Sequence, residues 1–215
     1  MFPEPTRIIA IRHGETAWNV DTRIQGQLDV GLNETGRWQA HRLALALAGE
    51  PIKAIYASDL LRAWDTALSI SNATGLEVQT DEGLRERGFG EFEGKTFKDI
   101  EVAWPEQSLL WRRRDPVFAP EGGESLTAFR QRVLQTIDAL AAPHAGEQIV
   151  LVAHGGVMDV IYRAATRQEI QAPRTWELGN AAINRLLWTP DGLSIVGWAD
   201  TNHLDDDESL DERAA

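Results

Sequence analysis

Cysteine is absent from all 215 residues. That absence excludes disulfides, thiolate zinc sites and cysteine nucleophiles, and it accords best with a reducing compartment. Long apolar runs are missing as well: no stretch approaches the ~20 residues a membrane-spanning helix needs. The start, "MFPEPTR", has neither the basic segment nor the apolar stretch of a secretory leader, so the cytoplasm is the expected location. The sequons "NET" and "NAT" then carry no weight. Basic residues are scarce, 21 against 33 acidic, for a net charge of −12. Such a surface repels nucleic-acid backbone and anionic lipid, so neither is an expected partner. An anion can still bind, but only where arginines converge in a local pocket. The last stretch, "HLDDDESLDERAA", concentrates acid and reads as a disordered tail over residues 201–215.

What remains is ordinary globular material, 43% hydrophobic, enough for one domain over residues 1–200 with a core that needs no disulfide or metal. Strand-like segments at residues 7–11, 53–57, 76–80, 148–153, 183–188 and 193–198 alternate with helical patterns. The first, "RIIAI", and the fourth, "QIVLVA", are almost wholly apolar, as strands covered on both faces are. Helices are expected over residues 33–48, with Trp38, His41, Leu45 and Ala48 marking a face, and from an Asp59 cap through Thr74 to Gly75. Further helices are expected over residues 125–142 and 155–165. The pattern specifies an α/β fold, a three-layer α/β/α sandwich with a mostly parallel central sheet. "TPDG" between the last two strands adds an antiparallel hairpin at one edge. Residues 81–124 break the alternation; glycine- and proline-rich, with a capping box at "TFKD", they read as an irregular helical lid.

In such sheets ligands bind beyond the carboxyl ends of the strands. "RIIAI" delivers Arg12 and His13 there, and "QIVLVA" delivers His154, each histidine followed by glycine. Two histidines suggest a metal, but no HxH or HExxH spacing accompanies them and Arg12 would repel a cation. Guanidinium, imidazole and glycine together suit an anion better: the guanidinium forks onto phosphate oxygens and glycine lets backbone approach. His41, His144 and His203 are taken as structural, and Arg37, Arg130 and Arg132 as solvated charges.

These residues resemble the histidine phosphatase superfamily, the phosphoglycerate mutase-like proteins. "RHGETAWN" at residues 12–19 resembles the family signature, and residues 25–40 its following segment. "SDLLRAWDTA" at residues 58–67 is similar to its S-x-x-x-R-A-x-x-T-A element, "LRERGFGEFEG" at residues 84–94 to its glutamate loop, and "LVAHGGV" carries the second histidine. The likeness runs over residues 7–200. It implies that His13 attacks phosphorus and forms a phosphohistidine, while Arg12, Arg62 and His154 hold the phosphoryl oxygens. It implies that Asn19 donates to the same group, and that Gln25, Gly26 and Gly155 touch phosphate or substrate. Glu86 is implied as the proton donor, a task for a carboxyl kept protonated by burial or neighbours; Glu82 and Glu91 are taken as surface acids.

The family holds both mutases and phosphatases. "RERGFGEFEGKT", with an aromatic at Phe92, resembles the phosphatase members, so a metal-independent, cofactor-free phosphomonoester hydrolase acting on a small phosphorylated metabolite is expected. The alternatives are a 2,3-bisphosphoglycerate-dependent phosphoglycerate mutase and a non-catalytic phospholigand-binding module. Trp104 and Trp111 in the lid are read as packing residues, and Arg112, Arg113 and Arg114 as solvated or paired with nearby acids. A homodimer is compatible with the sequence.

Overall fold

The computed structural model describes residues 4–205. Strands β1 (Thr6–Arg12), β2 (Ile52–Ala57), β3 (Val78–Thr80), β4 (Gln148–Ala153), β5 (Ile183–Thr189) and β6 (Gly192–Asp200) form one sheet in the order β3-β2-β4-β1-β5-β6. β1, β2, β3 and β4 run parallel, whereas β5 pairs antiparallel with both β1 and β6. The helices are α1 (Ala17–Val20), α2 (Glu34–Leu47), α3 (Leu61–Thr74), α4 (Phe97–Ala103), α5 (Pro105–Arg112), α6 (Leu126–Ala141) and α7 (Gly155–Thr166).

Strand alternation divides the core into two layers. Ile8, Ala10, Ile149 and Leu151 pack with Phe129, Val133 and Ile137 of α6 and Val157 and Ile161 of α7. Ile9, Ile11, Val150 and Val152 face the other way, onto Leu43 and Leu47 of α2 and Ala63, Ala67 and Ile70 of α3. β4 is buried at every position, as its unbroken apolar run predicts. The lid separates into α4 and α5, with Thr96 and Asp99 closing the expected capping box and Pro105 opening the second helix.

Local patterns misread some details. Trp38 and Leu45 are 39% and 59% exposed; α2 instead buries Gly36, Ala40, Leu43, Ala44 and Leu47. The true signal is the helical spacing of positions 36, 40, 43, 44 and 47, where glycine and alanine let α2 lie close and two leucines fill the core. Asp59 does not cap α3. Its carboxylate takes the Arg85 guanidinium (Nε to Oδ1, 2.7 Å), and Asp29 Oδ1 accepts from the Leu61 amide instead (2.7 Å). The tail expected from residue 201 starts too early: Asn202–Leu204 form a 3-10 turn, Leu204 packs on the α2–α3 core and Arg42 Nε donates to the His203 carbonyl (2.8 Å). The rest of the acidic tail lies outside the described residues.

The contact that seats α2 is between glycines. A Cβ on Gly14 would stand 2.5 Å from the Gly36 carbonyl oxygen, and one on Gly36 would stand 2.0 Å from the Glu15 oxygen. Gly14 is thus required for helix packing behind the site, and not only for approach to an anion. Gly36→Ala should cost about 1–3 kcal/mol of stability in urea denaturation. Gly49→Ala, whose Cβ would meet nothing within 4 Å, should leave the midpoint unchanged; equal behaviour of the two would refute the packing account.

Candidate active site

Parallel register brings the two histidines together. Arg12 pairs with Ala153 at the ends of β1 and β4, so His13 and His154 are each the next residue out. The His13 amide donates to the Ala153 carbonyl (3.0 Å), and the rings lie 5.3 Å apart between centroids, tilted by 58°. Both residues are buried. His13 Nδ1 lies 2.7 Å from the Gly14 carbonyl oxygen. A carbonyl only accepts, so in the neutral ring Nδ1 carries the proton and Nε2 holds the lone pair. Burial, reinforced by the Arg62 and Arg12 charges, holds the His13 imidazole well below the usual histidine range. Burial and the same surroundings do so for His154.

The arginines are aimed by neutral carbonyls. Arg12 donates to the Leu178 carbonyl. Arg62, in the first turn of α3, donates to the carbonyls of Leu28 (2.9 Å) and Gly26 (2.7 Å). Burial pulls the Arg62 guanidinium down to about 10 and lowers Arg12 too, with Glu86 opposing the shift in each. One turn along α3, Thr66 accepts from the Gly14 amide (3.0 Å) and donates to the Arg62 carbonyl (2.8 Å), tying the histidine loop to the arginine helix.

Glu86 arrives from the glutamate loop. Its Oε2 accepts from the Gly156 amide (2.9 Å) and its Oε1 from the Arg87 amide (2.8 Å). A Cβ on Gly156 would fall 2.1 Å from Glu86 Oε1, so only glycine permits this approach at the start of α7. Arg132 holds the loop from behind. It donates to the carbonyls of Gly83 (2.9 Å), Arg85 (3.0 Å) and Glu86 (3.3 Å), and both its Nε and Nη2 engage Glu124. The expectation that Arg132 is a solvated charge is therefore corrected. Its α6 neighbour Arg130 is exposed, as expected.

Arg12, His13, Asn19, Gln25, Gly26, Arg62, Glu86 and Gly155 all line one cavity of about 180 Å³; His154 is not in its lining, and its ring lies 5.3 Å from that of His13. Among the described residues, Arg12 Nε, Arg62 Nε, Gln25 Oε1 and both ring nitrogens of His154 are buried without a hydrogen-bond partner. Turning the Gln25 amide over presents a donor in place of its oxygen. Asn19 is held through Oδ1, which accepts from the Thr16 amide (3.0 Å) and from Thr16 Oγ1 (3.1 Å). Asn180 went unread in the sequence, yet its Nδ2 donates to the His13 carbonyl (2.8 Å). Nothing in its surroundings "LGNAA" marks it; only the chain's return beside β1 does.

A larger cavity of about 590 Å³ shares Arg12, Glu86, Phe89 and Gly155 with the smaller one, but His13 faces only the smaller. The reacting group therefore belongs in the small cavity and the body of a ligand in the large one. Phe97 stacks on Trp111 (4.5 Å, 9°), and both line the larger space. Buried Phe92 packs against Trp104 and Trp111, so the packing reading holds for both tryptophans while Trp111 also faces the cavity. Arg112 pairs with Glu101 and Arg114 with Asp159, in line with the acid-paired reading of that run. His144 is structural, bonded to Tyr56 Oη (2.9 Å) and Glu147 (2.8 Å).

Comparison with known proteins agrees with this geometry. The family described as the histidine phosphatase superfamily (branch 1) matches residues 8–201. Phosphoglycerate mutase-like protein 4 of Arabidopsis thaliana is 39% identical, with 93% of this chain and 87% of the relative aligned. A metal-independent phosphoserine phosphatase from the same plant is 38% identical over 94% of this chain and 84% of its own. Among solved structures, a mycobacterial glucosyl-3-phosphoglycerate phosphatase in complex with VO3 superposes with a TM-score of 0.81 at 35% identity, covering 91% of this chain and 99% of that one. A match spanning the sheet, both histidines and the glutamate loop has one consequence: the chain belongs to the histidine phosphatase superfamily, and it is a phosphatase-type enzyme of that family.

Proposed function

We propose that the chain hydrolyses the phosphomonoester of a small metabolite through a covalent intermediate on His13. The observation that carries this reading is a small cavity lined by a neutral imidazole, two guanidinium groups with unpartnered Nε atoms and a fixed carboxyl, with the unpartnered His154 ring 5.3 Å from that of His13. His13 Nε2 attacks phosphorus in line, the ester P–O bond breaks, and the leaving oxygen takes a proton from Glu86. The Gly14 carbonyl stabilises the N–H of the imidazole ring as it becomes cationic. Arg12, Arg62, His154 and Asn19 hold the phosphoryl oxygens, whose charge redistributes during transfer. Glu86, now a carboxylate, takes a proton from water as that water attacks phosphorus. The P–N bond breaks, phosphate leaves and His13 is restored. The metal-independent relative supports the same reading.

Phosphate should be released from p-nitrophenyl phosphate and from a panel of phosphorylated sugars and acids in excess EDTA. His13→Ala should lower kcat by about 10³-fold or more. Tight phosphate binding without turnover in the wild type would overturn the hydrolase and leave a binding module. Isomerised product that depends on bisphosphoglycerate would point to a mutase.

Two further variants separate holding from proton donation. Arg62→Ala should lose most of kcat on every substrate, and an unchanged rate would remove it from the site. Glu86→Gln should slow alkyl phosphates by about 10²–10⁴-fold but p-nitrophenyl phosphate far less, because that leaving group needs little protonation. Equal damage to both would argue against the acid role.

Because burial lowers both site histidines, each is neutral at a pH where a free imidazole is half protonated. In imidazole NMR, the signals lost in His13→Ala and His154→Ala should not titrate between pH 7 and pH 6. A midpoint near the free value of about 6.5 for either would contradict the neutral-nucleophile assignment.

A further inference from the structure

Two loops carry the groups that hold and protonate the substrate. Residues 24–28 supply the Gly26 and Leu28 carbonyls that aim Arg62, and the glutamate loop supplies Glu86. The loops come from distant stretches of chain, so contacts between them must set their spacing. A backbone ladder joins one end: the Gly94 amide donates to the Ile24 carbonyl (2.8 Å) and the Ile24 amide to the Lys95 carbonyl (3.0 Å). Among the described residues no backbone pair continues it past Ile24, where the chain turns at Gly26 with a φ of +52°.

Glu93 takes over at that point. One carboxylate oxygen, Oε1, accepts from the Gln27 amide (2.9 Å) and from the Phe89 amide (3.0 Å). Gln27 follows Gly26, and Phe89 lies three residues beyond Glu86, so a single atom ties the two loops beside their working groups. The Gln27 side chain completes the joint, donating from Nε2 to the Glu86 carbonyl (3.1 Å). The fit is close: a Cβ on Gly26 would stand 2.1 Å from Glu93 Oε1. Glu93 lines neither cavity and is not among the groups that face a ligand. Burial lowers the Arg62 guanidinium, and Glu93 comes after Glu86 and Asp29 among the acids that oppose this.

We propose that Glu93 is a positioning residue for phosphoryl transfer, holding Arg62 and Glu86 in one geometry by bonding the backbone of both loops through one oxygen. This assignment rests on the hydrolase reading above and adds to it a residue that acts without touching substrate. Its reach, rather than its charge, is what the site uses. Without it the carbonyls that aim Arg62 and the loop that presents Glu86 move independently, and a misplacement of about 1 Å can cost about 10²-fold in rate. Glu93→Gln keeps the accepting oxygen and loses the charge. Glu93→Asp keeps the charge but is one methylene too short to bond both amides.

The test compares these two variants and Glu93→Ala with the wild type. The substrates are p-nitrophenyl phosphate and the best phosphorylated sugar or acid of the panel above, and urea curves refer each rate to folded protein. Glu93→Gln should keep the wild-type midpoint and stay within about threefold of the wild-type kcat. Glu93→Asp and Glu93→Ala should lower kcat on the metabolite by about 10–10²-fold, with KM changing less. Their loss on p-nitrophenyl phosphate should be smaller, because that ester relies on Arg62 but little on Glu86. A merely structural role would lower both substrates alike, in step with the folded fraction. Where Glu93→Ala does not fold, the contrast between Glu93→Gln and Glu93→Asp decides. Wild-type rates in Glu93→Asp, equal losses on the two substrates, or a loss in Glu93→Gln as deep as in Glu93→Asp would each overturn the proposal and leave the hydrolase intact. Absence of p-nitrophenyl phosphate turnover in the wild type would instead strike the hydrolase reading.

Discussion

Buried positive charge, oriented but not neutralised, is the constraint on which the molecule is built. A guanidinium taken out of water needs hydrogen-bond acceptors, and a carboxylate partner would satisfy it at the expense of its attraction for anions. Arg12 and Arg62 are held at their outer nitrogens by the carbonyls of Leu178, Gly26 and Leu28, while their Nε atoms have no partner among the described residues. Peptide dipoles aim the groups and leave their charge available. Glu86 is the acid that most strongly opposes the lowering of both, and its own oxygens are held by backbone amides. The same uncancelled field, added to burial, keeps His13 and His154 neutral. Nucleophile and anion receptor are therefore two consequences of one electrostatic arrangement.

The fold supplies the rigidity that such an arrangement requires, because like charges left mobile would move apart. Adjacent parallel strands fix the spacing of the histidines through their ladder. Glycine contacts set the distances between segments, Gly14 against Gly36 behind the nucleophile and Gly156 against Glu86 in front of it. Arg132 closes the frame by gripping the carbonyls on either side of the glutamate. Each of these relations is anchored on the backbone, the kind that holds reacting groups near their working geometry without reorganisation.

Legibility in the sequence followed the range of each interaction. β1 and β4 were plain because an unbroken apolar run buried on both faces is a local pattern. β3 shrank to Val78–Thr80, where it pairs with β2 over three residues. The face of α2 was misjudged because Trp38 and Leu45 draw the eye, whereas the buried face combines Gly36, Ala40 and Ala44 with Leu43 and Leu47. Asp59 and Arg132 misled for one reason: each has a plausible local role, as cap or solvated charge, that a partner distant in the chain overrides.

By itself the sequence determined the class of chemistry. The absence of cysteine, the arginine and histidine leaving the first strand, the second histidine leaving another and the ordered motifs between them specified an α/β phosphatase of a recognisable family. Tertiary structure alone decided which charges are cancelled and which remain. Asp159 consumes Arg114 and Arg163, carbonyls support Arg12 and Arg62, and Arg130 and Arg174 are left facing the cavity. Residue type and spacing are properties of the chain, but a charge is satisfied or left available only by the groups that folding brings within a few ångströms of it.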